Sequence, residues 1–185
     1  MQIIILIILI LVNAYFAASE IAFISLNDTK IEKMAKEGNK KAIQIEKMLK
    51  NPSKFLATIQ IGITLAGFLS SAFASDAFAS ELAPMLNKII PAISVQVWNT
   101  ISIILITIIL SFFTLVFGEL VPKRLAMKNY EKIAFATIGF IKGLSVITSP
   151  FVKFLTTVTN GVSKLFGVGE SDEEIVTEEE IKMMI

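Results

Sequence analysis

Residues 89–118 read IIPAISVQVWNTISIILITIILSFFTLVFG and contain no charged side chain. Residues 55–75, FLATIQIGITLAGFLSSAFAS, form a second uncharged run. About 20 apolar residues are needed for a helix to cross the hydrocarbon core of a bilayer, so runs of this length are typical of membrane spans. The chain of 185 residues is 54% hydrophobic and 18% charged, whereas soluble domains are about 45–50% apolar and about 25% charged. We therefore predict an all-α, multi-pass membrane protein.

A third apolar segment, residues 3–26, opens with an unbroken run of Ile, Leu and Val. A cleaved signal peptide is the alternative to a retained span, but no basic residue precedes the run and no clear cleavage site follows it. We therefore predict three transmembrane helices at about residues 3–26, 55–78 and 97–119.

The charges of the connecting segments predict the orientation of these spans. Residues 27–54, predicted helical over 28–49, hold eight Lys against four acidic residues, which places them in the cytoplasm by the positive-inside rule. The connector after the second span is slightly acidic and is expected outside. The N-terminus is then outside, the C-terminus is cytoplasmic, and the protein belongs in the cell (inner or plasma) membrane.

Residues 133–166 allow two interpretations, a fourth crossing or a belt of helices at the cytoplasmic face. Lys142, Lys153 and Lys164 recur every eleven residues, which is close to three helical turns, so they share one face. Pro150 would kink a crossing helix. Lysines aligned in this way suit interfacial helices with snorkelling ammonium groups, and we predict a pair of such belt helices.

The composition changes sharply near residue 169. Residues 170–185 hold seven acidic residues and one Lys, and Thr177 with Glu180 forms a capping box that predicts a helix start. We divide the chain into a transmembrane domain, residues 1–168, and an acidic linker, residues 169–185, which is expected to lead into a further cytoplasmic domain.

The sequence has no Cys and no His, which excludes thiolate and imidazole metal sites and any Ser-His-Asp triad. A bound metal must therefore have oxygen ligands, which suit hard cations such as Mg²⁺. No nucleophile–base pair of the usual kind can be assembled, so we predict that the chain is not an enzyme. We predict the lipid bilayer as a partner and no nucleic acid.

Polar residues inside the spans are the candidates for function. Asn13, Ala17 and Glu20 share one face of the first span, and an intramembrane carboxyl is by default a functional-site hypothesis. The alternative is that Glu20 lies at the interface and pairs with a Lys of the following segment.

The second span carries two stripes of small and polar residues. One consists of Gln60, Thr64, Gly67 and Ser71, and the other of Gly62, Ala66, Ser70 and Ala74. Helix packing explains the small residues, but it does not explain the polar amide of Gln60.

The third span ends in the segment 117–123, FGELVPK. Pro122 has no N–H, so in a helix the carbonyl of Gly118 loses its partner, beside the carboxylate of Glu119. A free carbonyl and a carboxylate together make a candidate site for a hard cation. The alternative is a helix that ends at Pro122, with Glu119 in an ion pair with Lys123.

Three motifs, residues 13–26, 58–67 and 118–123, together resemble the transmembrane domain of the cyclin-M (CNNM)/CorC family, and the resemblance extends over residues 3–185. It implies a homodimer with three spans per subunit, juxtamembrane belt helices and a role in Mg²⁺ transport, commonly efflux. It also implies paired CBS domains after the acidic tail. ATP would bind only to those CBS domains. Within the dimer we expect the small residues of the second span to be buried at the interface, namely Gly62, Ala66, Gly67 and Ser70.

The resemblance also implies which residues form the cation site. Those that match family positions are Gly118, Glu119 and Pro122 in the third span, Ser19 and Glu20 in the first, and Thr58 in the second. The sequence departs from the family at Ile63, where Asn is expected, and Gln60 and Thr64 are the substitutes available, with Gly62 a structural residue of the site. The resulting hypothesis is a secondary Mg²⁺ transporter; the alternative is a non-transporting membrane anchor whose CBS region senses nucleotide and controls a partner protein.

Overall fold

The computed structural model describes residues 2–74 and 78–166, and every regular element within them is helical. The elements in chain order are α1 (Gln2–Ile24), α2 (Asp28–Lys36), α3 (Lys40–Leu49), α4 (Pro52–Ala74), α5 (Ser80–Ile89), α6 (Val95–Leu115), a π-helical turn (Val116–Leu120), α7 (Val121–Lys128) and α8 (Tyr130–Leu165). The acidic tail, with the predicted capping box at Thr177 and Glu180, lies outside the described residues.

Four helical stretches are long and apolar enough to cross a membrane, by length and composition alone: Gln2–Ile24, Pro52–Ala74, Val95–Lys128 and Tyr130–Leu165. The chain is an all-α, multi-pass membrane protein, as predicted. The first three stretches correspond to the predicted spans, and the fourth lies where a belt was expected. The orientation of the termini remains a prediction.

The predicted helix over residues 28–49 is wrong in one respect, because it is two helices. Gly38 adopts a φ of 87°, in the left-handed region that favours glycine, and this ends α2. The side chain of Asn39 then caps α3 by accepting hydrogen bonds from the backbone N–H groups of Lys41 and Ala42 at 3.0 and 3.2 Å. An Asn at this position satisfies N–H groups that the first turn of a helix leaves free.

The helix of the third span continues past Pro122, so the alternative interpretation of the FGELVPK segment, a helix that ends at Pro122, is wrong. The helix instead widens into the π-helical turn, in which the N–H of Val121 donates to the carbonyl of Val116, five residues back. Pro122 then falls in the first turn of α7, a position where a missing N–H is tolerated. The π-helical turn therefore lets the chain pass a proline without breaking the helix.

The predicted pair of belt helices is also wrong, since one helix, α8, runs from Tyr130 to Leu165 and includes Pro150. The chain forms two compact units, which divide between residues 146 and 147. In the second unit, the hydroxyls of Thr156 and Thr157 donate to carbonyls one turn back in the same helix.

The core of the first unit lies among α1, α2, α3, α4 and the first half of α8. The buried residues that form it are Phe16, Ala22, Phe23, Ile31, Ile45, Phe55, Ile59, Ala134, Ile138 and Ile141. Phe23 and Phe55 lie with ring centroids 4.6 Å apart, and Phe16 lies against Gly62. From the contact of Phe16 with Gly62 to that of Phe23 with Phe55, the residue number rises in α1 and falls in α4. The two helices are therefore antiparallel.

Two polar contacts hold the helical hairpin α2–α3 to α8. Lys30 forms an ion pair with Glu131, and the hydrogen bond it donates to that carboxylate is the main reason that the pKa of Lys30 is raised above its usual value. Lys41 Nζ donates to the carbonyl oxygen of Phe135 at 2.7 Å. The negative charge of Glu131 thus neutralises part of the positive charge of the lysine-rich segment.

Candidate functional site

The π-helical turn lies close against α1 because residue 118 is glycine. A Cβ on Gly118 would lie 3.1 Å from Asn13 Nδ2 and 3.4 Å from the carbonyl oxygen of Ile10. Gly118 is buried, and the two backbones could not approach this closely with a larger residue.

The side chain of Asn13 binds the carbonyl that the sequence analysis had identified as free. Asn13 Nδ2 donates to Gly118 O at 3.2 Å in the buried interior. Pro122 has no N–H with which to pair this oxygen in the α-helical pattern, and the amide of α1 takes that place. Asn13 Oδ1 is buried and accepts no hydrogen bond from the described residues.

Two turns further along α1, two carboxylates share one ammonium group. Lys123 Nζ lies 3.0 Å from Glu119 Oε1 and 3.0 Å from Glu20 Oε2. The contact with Glu119 is also a hydrogen bond, whereas Glu20 Oε2 accepts no well-directed hydrogen bond from any described residue. The side chains of all three are about a fifth to a third exposed.

Both carboxylates take part in the ion pairs that the sequence offered as alternatives to a cation site. The ion pair between Glu119 and Lys123, which was the alternative interpretation of the FGELVPK segment, is present. Glu20 also pairs with a lysine, but with Lys123 of α7 rather than with one in residues 27–54. The helix nevertheless continues past Pro122, so the ion pair occurs together with a Gly118 carbonyl that accepts its hydrogen bond from Asn13.

Ser19, which precedes Glu20 in α1, and Thr58 of α4 are fully buried. Each hydroxyl donates to the carbonyl one turn back in its own helix, Ser19 Oγ to Tyr15 O at 2.7 Å and Thr58 Oγ1 to Lys54 O at 2.9 Å. Because α1 and α4 are antiparallel and Phe16 meets Gly62, Thr58 lies at the level of Glu20. Both oxygens keep lone pairs that a cation could use.

The other predicted residues of α4 divide between its two faces. Gln60 and Thr64 are exposed, so within one chain they do not lie in the buried part of the site. Gly62, Ala66 and Ser70 are buried within the single chain, and a Cβ on Gly62 would lie 2.6 Å from the ring of Phe16. Of the four residues assigned to a dimer interface, only Gly67 has open space around its Cα.

The charged groups of this arrangement are two carboxylates and one ammonium group. The described residues contain no group of three or more acidic, His or Cys side chains that could hold a metal ion. A cation here would have to combine the carboxylates of Glu20 and Glu119 with neutral oxygens, such as the Gly118 carbonyl. Asn13 and Lys123 were not among the predicted cation ligands, although Asn13 was a candidate on the same face of α1 as Glu20 and Lys123 was the predicted ion-pair partner of Glu119.

Comparison with known proteins gives consistent matches along the chain. Residues 4–185 match the family model described as the cyclin M transmembrane N-terminal domain. A UPF0053 protein of Synechocystis sp. is 37% identical over 96% of this chain and 39% of its own length. A UPF0053 inner membrane protein of Escherichia coli is 29% identical over 85% of this chain and 33% of its own length.

A third relative, from Haemophilus influenzae, is named polyamine export protein. It is 27% identical over 94% of this chain and 39% of its own length. The chain thus spans between a third and two fifths of the length of these relatives.

Proposed function

Because the chain belongs to the cyclin M transmembrane family, we propose that it is the membrane domain of a secondary transporter that exports Mg²⁺. One observation carries the proposal: the carboxylates of Glu20 and Glu119 converge on a single cation, the ammonium of Lys123, at 3.0 Å each. Two carboxylates at membrane depth are costly. Their convergence on a cation therefore points to a role in cation binding.

Charge explains how Mg²⁺ would replace Lys123 between the carboxylates. Lys123 supplies one positive charge to two negative ones, whereas Mg²⁺ supplies two. Mg²⁺ requires near-octahedral oxygen coordination, which Gly118 O, Ser19 Oγ and Thr58 Oγ1 can help to complete. The ammonium would swing out towards solvent when the ion binds, since its chain is long and flexible.

The carboxylates are more exposed than the residues beyond them, which supports access of the ion to the site from one side of the membrane at a time. Glu20, Glu119 and Lys123 are partly exposed, whereas Asn13 and Gly118 are buried. An ion would enter past the carboxylates, on the side predicted to be cytoplasmic, and stop at the hydrogen bond between Asn13 and Gly118. Alternating access would then require α1 to move relative to the π-helical turn.

A second candidate function is export of a polyamine. The same two carboxylates bind a primary ammonium group within the chain, and a polyamine would present such groups to them. The relative from Haemophilus influenzae carries the corresponding name. The remaining alternative, a membrane anchor that controls a partner through a nucleotide-sensing CBS region, requires no cation site at all.

Isothermal titration and liposome flux on the purified protein would test these functions. We expect saturable Mg²⁺ binding and Mg²⁺ flux, with affinity reduced roughly tenfold or more in Glu119→Gln, which is a loss of at least about 1.4 kcal/mol. Glu81→Gln is the matched control, because Glu81 is an exposed carboxylate of α5.

The outcomes distinguish the three hypotheses. Binding and flux of spermidine, reduced in Glu119→Gln but without any Mg²⁺ response, would favour polyamine export. No flux of either cation would favour the anchor. Equal Mg²⁺ affinity in Glu119→Gln and the unchanged protein would mean that Glu119 serves only its ion pair with Lys123.

A further inference from the structure

The hydrogen bond between Asn13 and Gly118 joins two segments that are 105 residues apart in the chain. Asn13 is only 3% exposed, and its other polar atom, Oδ1, is buried without a hydrogen-bonding partner among the described residues. Burial of an unpaired amide oxygen is costly. A leucine of similar size would fill the same space without that cost, so packing alone does not explain an amide here.

The direction of the amide is fixed by its partner. Gly118 O can only accept a hydrogen bond, so Nδ2 must face it and Oδ1 must point elsewhere. Because the chain passes Pro122 through the π-helical turn, this carbonyl has no partner in the α-helical pattern. Asn13 is therefore the side chain that holds the Gly118 carbonyl in place.

The same face of α1 makes a second contact two turns further on. Asn13 and Glu20 lie seven residues apart, and they contact Gly118 and Lys123 respectively. Glu119 lies between these two points of attachment. α1 is thus fixed on both sides of the carboxylate, once by a buried hydrogen bond and once by a partly exposed ion pair.

We propose that Asn13 is a positioning residue of the cation site, which sets the direction of the Gly118 carbonyl and the register of α1 against Glu119. This inference rests on the proposed cation-binding function. Partners that orient metal ligands typically change metal affinity by about 10–100-fold when they are removed. Asn13→Leu keeps the volume of the side chain, removes the donor and should weaken Mg²⁺ binding by roughly tenfold.

The test is isothermal titration of Mg²⁺ into purified protein, combined with thermal unfolding measured without Mg²⁺. Ser102→Ala is the matched control, because Ser102 is fully buried in α6 and its hydroxyl is unpaired among the described residues. Its removal should leave the Mg²⁺ affinity unchanged and should not lower the melting temperature, because an unpaired buried hydroxyl contributes no hydrogen bond. Asn13→Leu should lower both, and an unchanged Mg²⁺ affinity in a folded Asn13→Leu variant would overturn the proposal.

A second variant distinguishes positioning from a general need for Asn13 in folding. Pro122→Ala supplies an N–H that can pair with Gly118 O, so Asn13→Leu should cost less stability in that background than alone. Fully additive losses, or an unfolded double variant, would contradict the assignment. If the unchanged protein binds no Mg²⁺, the proposed function is wrong. The energetic coupling between Asn13 and Pro122 can still be measured by thermal unfolding, because that measurement needs no Mg²⁺.

Discussion

Lys123 and Glu119 are four residues apart, and their side chains meet at 3.0 Å across the boundary between the π-helical turn and α7. A pair at this spacing on an exposed helix contributes only about 0.2–0.5 kcal/mol. Here the ammonium also contacts Glu20 of another helix, and all three groups are partly withdrawn from water. The ammonium group of Lys123 therefore competes with any cation from solution for the carboxylates of Glu20 and Glu119.

Replacing Lys123 should strengthen cation binding. Lys123→Met keeps much of the apolar stem and leaves the carboxylates of Glu20 and Glu119 without a counter-charge. Charges about 4 Å apart interact by about 4 kcal/mol at the effective dielectric of a protein surface. A gain of roughly tenfold in Mg²⁺ affinity is thus a conservative expectation, and titration calorimetry would measure it.

Arg124 provides the control for the loss of one positive charge. It is the neighbouring residue and is exposed, and the described residues include no ion pair that involves it. Arg124→Met should leave Mg²⁺ affinity within about twofold of the parent, because exposed charges are screened by salt. Weaker binding in Lys123→Met would mean that the lysine helps to build the site rather than competing for it.

Pro122 should act on stability and on cation binding in opposite directions. Pro122→Ala restores an N–H and relieves the need for a π-helical turn, so we expect stabilisation by about 1 kcal/mol in thermal unfolding. The Gly118 carbonyl would then be paired within the helix and less available to a cation. Mg²⁺ affinity should fall without any change in side-chain charge, and an unchanged affinity would show that this carbonyl is not a ligand.

The two threonines of α4 should differ sharply in their importance for the site. Thr58 is fully buried at the level of Glu20, and Thr64 is exposed. Thr58→Val should reduce Mg²⁺ affinity roughly tenfold if its hydroxyl is a ligand, whereas Thr64→Val should have no effect on binding by the monomer. The reverse order of effects would mean that the polar face of α4 binds the cation.

The features of the fold that depend on length and apolarity could be predicted from the sequence. The helices of the first three spans follow from uncharged runs, because a membrane span is a property of one segment alone. The division at Gly38 was missed because the segment around it is rich in helix-forming residues. Its signal was the pair Gly38–Asn39, a left-handed residue followed by an N-cap.

The site was predictable as a set of motifs but not as a set of contacts. Pro122 identified Gly118 as a residue with a free carbonyl, since that consequence is local. The hydrogen bond from Asn13 to this carbonyl depends on how α1 packs against the π-helical turn. The residues next to position 13 do not specify that packing. Likewise both stripes of α4 have the spacing of residues on one helix face, so spacing alone does not say which stripe faces inwards. Only the position of Phe16 decides that Gly62 faces inwards.

The face of α4 that carries Gly67 should be the one that meets a second copy of the chain, if the protein is a dimer. Gln60, Thr64 and Gly67 lie on the open face, and polar and small residues on a span favour contact with another helix rather than with lipid. Gly67→Leu should therefore separate a detergent-solubilised dimer into monomers, as measured by light scattering. Its melting temperature as a monomer should change little.

Gly62 provides the contrast, because it already packs within the chain. Gly62→Ala brings a Cβ to 2.6 Å from Phe16 and should destabilise each protomer by about 1–3 kcal/mol through overpacking. Gly67→Ala meets no neighbouring atom and should be neutral or stabilise by about 0.5–1 kcal/mol through backbone entropy. An intact dimer in Gly67→Leu would exclude this face as the interface and would leave Gln60 and Thr64 facing lipid.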